Sequence, residues 1–590
     1  MKPRTLNDIF ATIVDRNHDR VMLSRQGGQW VPISSRQFYQ QVASTARALA
    51  RWGLAKGDRM AILSENRPEW AVADFASFQL GVVVVPIYAT LTAQQTAYIL
   101  RDSGARIVVV STREQLAKVL STKNQTALEH VIIMDPADTA DAVPMNRWMR
   151  DVLAERDPEL DARAHTVSAD DLASVIYTSG TTGTSKGVCL THGNLAANIM
   201  ASLEGFDIHP GHVSVSFLPL SHVTARHVDL ALLYHGVTLV YCPCFELLSQ
   251  ALMEMPPTIF VGVPRVYEKI YSAVQQKVKR FPKQAIYRWA LSVGRAHKSE
   301  ILRGEMPSSF RWKLANKLVF SQVRARMGGS VEVFVSGGAP LGYELAEWYA
   351  TIGIRIHEGY GLTETSPVIA VNNPRAHKLG TVGRPLSNIE VRIAEDSEIL
   401  VRGPSVFRSY WRRPDETDSA FEDGWFKTGD IGHLDEDGFL SVTDRKKDLL
   451  KTSGGKFIAP QPIENSLKLN AFIGTAAVVG DRRKFATVIV SPFFPLLEEW
   501  ARSNHISFSS RHSLIAHPRV QALYEEIVDE VNRNLARYET LKKVLLVPDE
   551  FSAHDGTLTP TLKLRRKFVE ERYRQRIDEL YEEAELANVG

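Results

Sequence analysis

Cysteine is scarce in this chain: Cys189, Cys242 and Cys244 are the only three among 590 residues. So few cysteines exclude a disulfide framework, and Cys-Pro-Cys is not zinc-site spacing. A reducing cytosol is the expected compartment. No apolar run is long enough to cross a bilayer. Residues 1–20 carry scattered charges and lack the apolar core of a signal peptide. Net charge is also nearly absent. Lys and Arg number 70 against 67 Asp and Glu, a balance of +3 that leaves no global nucleic-acid footprint. No short-period repeat is visible. What is present, 44% hydrophobic and 23% charged residues, is the composition of a globular protein. The length exceeds what one core organises and requires at least two domains.

Short apolar runs alternate with helical patterns through the first part of the chain. Val82–Val85, Ile107–Val110 and Val131–Met134 are examples, with Phe38–Trp52 as a helical stretch; Val237–Tyr241, Thr258–Val261 and Val331–Val335 continue the series. Buried β-branched runs between helices predict mainly parallel sheets covered on both faces. The texture changes near Ile389. Ile389–Ile393 and Glu398–Arg402 alternate polar and apolar residues, as in an antiparallel subdomain. The charged run Asp444-Arg445-Lys446-Lys447-Asp448 then marks a boundary, and a smaller, helix-rich unit with strands at Ala476–Val479, Thr487–Val490 and Val544–Val547 follows. Lys567–Ala587 reads as a charged surface helix.

Local charge is less even than the total. From Lys277 to Arg326 basic residues dominate, only Glu300 and Glu305 oppose them, and Tyr287, Trp289, Phe310, Trp312 and Phe320 are interleaved. Such a segment could lie on an anionic membrane surface. It could equally be a solvated helical insert with its aromatics turned to the core.

The most informative stretch is Tyr177-Thr178-Ser179-Gly180-Thr181-Thr182-Gly183-Thr184-Ser185-Lys186-Gly187, preceded by the short buried strand Ser174–Tyr177. Glycines let backbone N–H groups approach an anion, Ser and Thr add donors, and Lys adds a point charge. This is polyphosphate-cradle chemistry, although a flexible Ser/Gly linker has similar composition. It is not the kinase and GTPase P-loop, because Lys186 is followed by Gly187 and Val188 instead of a metal-binding hydroxyl and a helix. The run resembles the phosphate loop of adenylate-forming (AMP-binding) enzymes, the superfamily of acyl-CoA synthetases, luciferases and peptide-synthetase adenylation domains.

Four further motifs occur in that superfamily's order. Val335-Ser336-Gly337-Gly338-Ala339-Pro340 is a strand entering a glycine turn, and by resemblance Gly338 and Ala339 border the adenine pocket. Glu358-Gly359-Tyr360-Gly361-Leu362-Thr363-Glu364-Thr365 places an uncrowded aromatic ring and a hard oxygen donor close together. The plain alternative there is a helix cap at Thr363 or Thr365. The resemblance implies that Gly359, Tyr360, Gly361 and Thr363 contact nucleotide, and that Glu364 holds Mg²⁺ with Thr178. In Asp423–Gly432, Asp430 alone would read as a turn residue. By resemblance it binds the ribose hydroxyls, helped by Arg445. The segment Asp444–Lys451 is charged, as a solvated hinge would be, and the resemblance implies that the C-terminal domain rotates about it. The hinge residue maps to Lys447, and Gly454-Gly455 would meet the pantetheine arm of CoA.

The last element is Thr559-Pro560-Thr561-Leu562-Lys563. A lone lysine there is ordinarily a solvated surface residue, but the segment resembles the family's terminal catalytic-lysine motif. Many relatives have Ser-Gly-Lys where this chain has Thr-Leu-Lys, as in long-chain acyl-CoA synthetases. Lys563 is preferred to Lys567 because the Thr-Pro-Thr turn precedes it. Phe217–His222, Val263–Ile270 and Asp423–Lys451 also resemble the long-chain fatty acyl-CoA synthetase branch, in which His222 would lie near the acyl entrance; a lone His is more often a satisfied structural residue. Gly236, Gly262 and Gly359 are candidate walls of a narrow acyl tunnel.

The resemblance, running from about Leu6 to Lys567, implies an α/β fold. A large N-terminal adenylation domain (1–443) of mainly parallel sheets with a small antiparallel subdomain is joined by a hinge (444–451) to a smaller mobile α+β C-terminal domain (452–590) carrying Lys563. It implies an AMP-forming long-chain fatty acid–CoA ligase using ATP, Mg²⁺ and CoA, cytoplasmic or peripheral on the inner face of a membrane. The competing readings are adenylation of another carboxylic acid, transfer to a carrier-protein thiol, and a non-catalytic nucleotide- or lipid-binding relative.

Overall fold

A computed structural model describes residues 2–587, apart from 137–138, 150–155, 179–184, 279–281, 454–455, 553–554 and 560–562. Three sheets build the larger part of the chain. An eight-stranded sheet contains Arg59–Leu63, Val83–Ile87, Ile107–Val110 and His130–Ile133 in parallel, with Leu172–Thr178 beside Val83–Ile87. These strands are buried along nearly their whole length, as expected of parallel strands covered on both faces. A nine-stranded sheet has a parallel centre of Val213–Ser216, Thr238–Tyr241, Ile259–Gly262, Val333–Ser336 and Ile356–Gly361. The polar–apolar alternation after Ile389 becomes an antiparallel sheet, in which Glu390–Ile393 pairs with Glu398–Arg402, which pairs with Trp425–Leu434. That long strand in turn pairs with Leu440–Arg445.

A shared layer of helices joins the two large sheets into one core. Pro68–Gln79 is buried around most of its circumference, and its Trp70, Phe75 and Phe78 belong to a cluster that includes Ile62 of one sheet and Leu239 of the other. A helix apolar on all sides must lie inside a protein. Within this layer Arg226 donates to both oxygens of Asp74 at 2.7 Å, and to Ser174 Oγ at 2.7 Å, with both ion-pair partners buried. Helix starts follow local chemistry: Thr5, Ser34, Thr92 and Thr191 each cap a helix with a reciprocal capping box.

The smaller part has its own sheet: Ile473–Val479 antiparallel to Ala486–Pro492, which runs parallel to Leu541–Leu546. Helices cover one face around Phe494, Leu497 and Tyr524, and the C-terminal helices cover the other through Val569, Tyr573, Ile577 and Tyr581. The expected single C-terminal helix is two, Arg566–Arg572 and Arg574–Ala587, separated at Tyr573. The strand Leu440–Arg445 ends at the expected hinge, and Lys446–Asp448 form a turn closed by Asp448 N–H donating to the Arg445 carbonyl at 2.9 Å.

Gly236 has a different role from the expected tunnel wall. It ends the helix Val223–Tyr234 at φ +81°, against Pro210 and Arg16. His222 caps the opposite end, about 18 Å away for a helix of this length.

Candidate active site

The expected nucleotide residues lie where strands of the two large sheets end, and in the middle of the long antiparallel strand at Asp430. Crevices at the carboxyl ends of strands are the usual ligand sites of open α/β sheets. Thr178 closes one strand and Lys186 opens the next, and the two residues pair in an antiparallel hairpin. Ser179, Gly180, Thr181, Thr182 and Gly183, at the tip of that hairpin, lie outside the described residues, as do Gly454 and Gly455. Strand–loop–strand geometry distinguishes this loop from a P-loop, which leads into a helix.

Lys186 is not free in this arrangement. Its ammonium pairs with the Glu416 carboxylate and lies 4.8 Å from the centre of the Tyr410 ring. The Tyr410 hydroxyl in turn donates to Glu364 Oε1 at 2.9 Å. Tyr410 and Glu416 carried no sequence signal that singled them out. They arrive because Ser409–Tyr410 pairs with Val188–Cys189, far away in the chain. Glu364 sits in a single 3-10 turn, Thr363–Thr365, where Thr365 Oγ1 accepts from Leu362 N–H at 3.0 Å. Capping chemistry therefore belongs to Thr365 and leaves the Glu364 side chain half-buried and facing the crevice.

Asp430 is the centre of a second group. Its Oδ2 accepts from the Tyr360 hydroxyl at 2.7 Å, and its Oδ1 faces Arg445 Nε at 3.2 Å. Strand register makes this possible, because Asp430 and Arg445 are directly opposed across the antiparallel pair. Burial pushes the Asp430 carboxyl up, while Arg445, Tyr360, Lys563 and Lys447 pull it back toward the charged form. Beside it, an added Cβ on Gly337 or Gly338 would meet nothing nearer than 3.7 Å and 3.8 Å respectively. That strand end therefore has space for a flat ring. Gly338 also has φ +82°, which a side chain would strain. Gly361 has a different, internal reason to be glycine: a Cβ there would sit 1.8 Å from the Pro367 carbonyl oxygen. Gly359 and Thr363 lie on the same strand and turn, and Ala339 follows Gly338 at the strand end.

Lys563 comes from the smaller part of the chain. Its N–H donates to Thr559 Oγ1 at 3.0 Å, its carbonyl accepts from Thr559 N–H at 2.8 Å, and Leu558 bridges Leu564. This tight loop presents the lysine to the larger part. The residue as a whole is exposed, while its ammonium is surrounded by protein at the crevice. That surrounding, with Arg445 beside it, pushes it down to about 8 against the pull of Asp430 and Glu364. Lys567, the alternative, instead faces Lys447 and Glu570.

His222 accepts from Thr224 N–H at 3.2 Å and caps its helix, which is the structural role open to a lone histidine. It also faces Lys563: burial, aided by that ammonium, holds the imidazole down at about 3 and therefore neutral. At the hinge, burial and then Arg445 push the Lys447 ammonium down. Its neighbour Lys446 was not anticipated as a contact. It pairs with Glu398 at 2.8 Å, at the start of a strand of the antiparallel sheet, and with Asp396 in the turn before it.

The donor set suits a hard cation held mainly by phosphate. One carboxylate, Glu364, has an oxygen fixed by Tyr410 and the other available, and the Thr178 hydroxyl stands at the hairpin mouth. Mg²⁺ beside phosphates characteristically takes one or two carboxylates and keeps its other positions for substrate and water. Among the described residues no cluster of three or more His, Cys, Asp or Glu forms a self-sufficient metal cage.

Such a crevice, where Lys563 of the smaller part meets Asp430, Arg445 and Glu364 of the larger, suits a nucleotide-dependent enzyme. Residues 10–411 match the family model of AMP-binding enzymes and residues 447–585 match the C-terminal domain of such enzymes, so the chain belongs to that family. It is 36% identical over 563 residues to the long-chain-fatty-acid–CoA ligase FadD15 of Mycobacterium tuberculosis, covering 94% of this chain and 93% of the relative. It is 31% identical over 630 residues to the long-chain-fatty-acid–CoA ligase ACSBG2 of Xenopus laevis, covering 99% and 84%. The fold is that of ATP-bound MatB from Rhodopseudomonas palustris, with TM-score 0.69, 24% identity and coverage of 96% and 99%.

Proposed function

We propose that the protein is an ATP-dependent long-chain fatty acid–CoA ligase that works in two half-reactions. The observation that carries this reading is the position of Lys563: a lysine of the smaller part reaches a crevice of the larger part lined by Asp430, Arg445, Glu364 and His222. In the first half-reaction a carboxylate oxygen attacks the α-phosphorus of ATP, the bond to the bridging oxygen breaks, and pyrophosphate leaves. Two anions must meet, and Lys563 neutralises charge as the transition state forms. Lys186 and the hairpin Thr178–Lys186, including Ser179 to Gly183, hold the departing pyrophosphate. Asp430 accepts from the ribose hydroxyls, Arg445 orients Asp430, and Tyr360, Gly338 and Ala339 border the base. Glu364 and Thr178 would hold Mg²⁺, which would supply charge neutralisation on the phosphates.

In the second half-reaction the CoA thiol attacks the acyl carbonyl, AMP leaves with the electron pair of the broken C–O bond, and the thiol proton goes to solvent. Lys563 has no part in that step. A turn at Lys447 that swings the smaller domain away removes the lysine and brings Gly454-Gly455 to the pantetheine arm. The domain limits 1–443, 444–451 and 452–590 belong to this reading. So do a cytoplasmic or peripheral location and a contact with anionic membrane. Among the described residues no helix is long and apolar enough to cross a membrane.

The test combines enzyme, ATP, Mg²⁺ and a panel of fatty acids, with and without CoA, and follows acyl-AMP and thioester by mass. Thioester formation that rises with chain length supports the reading. Acyl-AMP that accumulates in the presence of CoA favours a carrier-protein acceptor. Lys563→Ala should lower acyl-AMP formation by roughly 10²–10³ and spare thioester formation from preformed acyl-AMP. Equal loss in both steps contradicts the role given to Lys563.

A further inference from the structure

The basic insert resolves into the helix Lys283–Arg303 and a continuous helical stretch from Phe310 to Ala325, with a π-helical turn at Asn316–Phe320. Its aromatics divide between the core and the surface. Tyr287, Trp312 and Phe320 are buried in the core beneath, and Trp289 packs against that core. Phe310 is instead 79% exposed, with Met306 at 69%, Leu318 at 43% and Leu314 at 37%.

These four residues fall at intervals of four: 306, 310, 314, 318. A step of four turns an α-helix through about 40° beyond a full turn, so Phe310, Leu314 and Leu318 share one face. Trp312, Ala315, Phe320 and Val323 occupy the opposite, buried face. The stretch is therefore apolar on two sides, and only one of them is covered. Helices with one core-facing stripe ordinarily turn polar residues to the other side.

Charge says what covers the second side. Arg311, Lys313 and Lys317 flank the exposed stripe and have no ion-pair partner among the described residues. The insert's only two acids cannot balance them locally. Glu300 is engaged by His297 at 2.7 Å and Glu305 by Arg303 at 3.1 Å. Unneutralised Lys and Arg beside an exposed aromatic and aliphatic stripe match a bilayer with anionic headgroups, where the apolar side chains enter the acyl boundary and the cations meet phosphate.

We propose that the Met306–Leu318 stripe, framed by Arg311, Lys313 and Lys317, is the face by which this protein docks on an anionic lipid bilayer. The choice of partner rests on the ligase reading, since a long-chain acid is held in membranes. The physical fit of the face does not. Docking here would bring the enzyme to the phase in which such an acid is concentrated.

The test uses the full chain and sucrose-loaded vesicles, either phosphatidylcholine alone or phosphatidylcholine with phosphatidylglycerol, sedimented at low and high salt. Binding is expected only to the phosphatidylglycerol vesicles and is expected to weaken with salt. Phe310→Ser with Leu314→Ser, and separately Lys313→Glu with Lys317→Glu, should each lower partitioning roughly tenfold. Their unfolding midpoints should match that of the parent protein. No partitioning of the parent protein, or equal partitioning of the variants, overturns the proposal. So does a concentration-dependent dimer that the serine variant abolishes while vesicle binding stays intact. Thioester formation from a soluble medium-chain acid, measured without vesicles, should be unchanged in both variants. Failure of thioester formation with every acid of the chain-length panel in the parent protein, with vesicle binding retained, would strike the ligase reading and leave the docking face standing.

Discussion

Lys186 and Glu416 form an ion pair across the mouth of the phosphate hairpin, with the Tyr410 ring beneath the ammonium. A polyphosphate that recruits Lys186 must displace this internal anion. Partly exposed pairs of this kind are worth ~1 kcal/mol or less. Glu416→Gln should therefore lower KM for ATP by roughly two- to fivefold, while Lys186→Met raises it. An ATP titration of acyl-AMP formation reads both. An unchanged or higher KM in Glu416→Gln would show that the pair does not compete with nucleotide.

The Lys563 ammonium, held down at about 8, loses its proton within the range of ordinary assays. Its stabilising charge is present below that value and is lost as pH rises through it. The adenylation step, measured as kcat/KM for ATP, should fall on an alkaline limb near pH 8 because this quantity reports the free enzyme. Bound polyphosphate favours the charged form, so the limb in kcat should lie at higher pH. Coincident limbs in the two profiles would assign the titration to another group.

His222 should contribute no limb near neutrality, since its imidazole is held down at about 3. His222→Asn keeps an N-cap acceptor and should retain stability. His222→Ala loses the cap and should cost about 1 kcal/mol. Urea midpoints of the two variants provide the comparison.

The buried Asp74–Arg226 pair lies in the helix layer between the two large sheets, one helical turn beyond His222, whose carbonyl accepts from Arg226 N–H at 3.2 Å. Burial pushes the Asp74 carboxyl up and Arg226 pulls it down. Asp74→Ala strands a guanidinium in the core and should destabilise by about 3–5 kcal/mol. Thermal unfolding should show the loss.

Lys446 ties the hinge to Asp396 and Glu398 in the arrangement that delivers Lys563. Lys446→Ala should slow acyl-AMP formation several-fold and leave thioester formation from preformed acyl-AMP unaffected or faster. Single-turnover measurements of the two steps separate these outcomes, and an equal slowing of both would contradict the latch.

Much of the parallel framework was legible because its strands are short, β-branched and covered on both faces, so Ile107–Val110 reads directly as an apolar run. The crevice was legible where one short segment carries several reactive groups, as in Tyr360 to Glu364. Its long-range partners were not. Tyr410 reaches Glu364, and Glu416 reaches Lys186, through a strand pairing across more than two hundred residues, and no local period records such a pairing. His222 was ambiguous for the opposite reason. Capping and facing Lys563 are compatible roles, and a single histidine in a turn before a helix looks the same for either. Gly236 misled because a glycine's conformational need, here a left-handed helix stop, leaves the same letter as a wall that must stay bare.

The smaller domain's sheet is sealed on both faces by its own helices, and one of its hydrophobic residues, Leu469, packs against the larger domain's core. What spans the boundary is otherwise polar: buried Asp444 accepts from Gln461 N–H, and Lys563 faces Asp430, Glu364 and Arg445. A body built this way can pivot as a unit and trade one set of polar contacts for another. Little oily surface is uncovered on the way, so the two orientations need differ only slightly in free energy, and whichever substrate is present can decide between them.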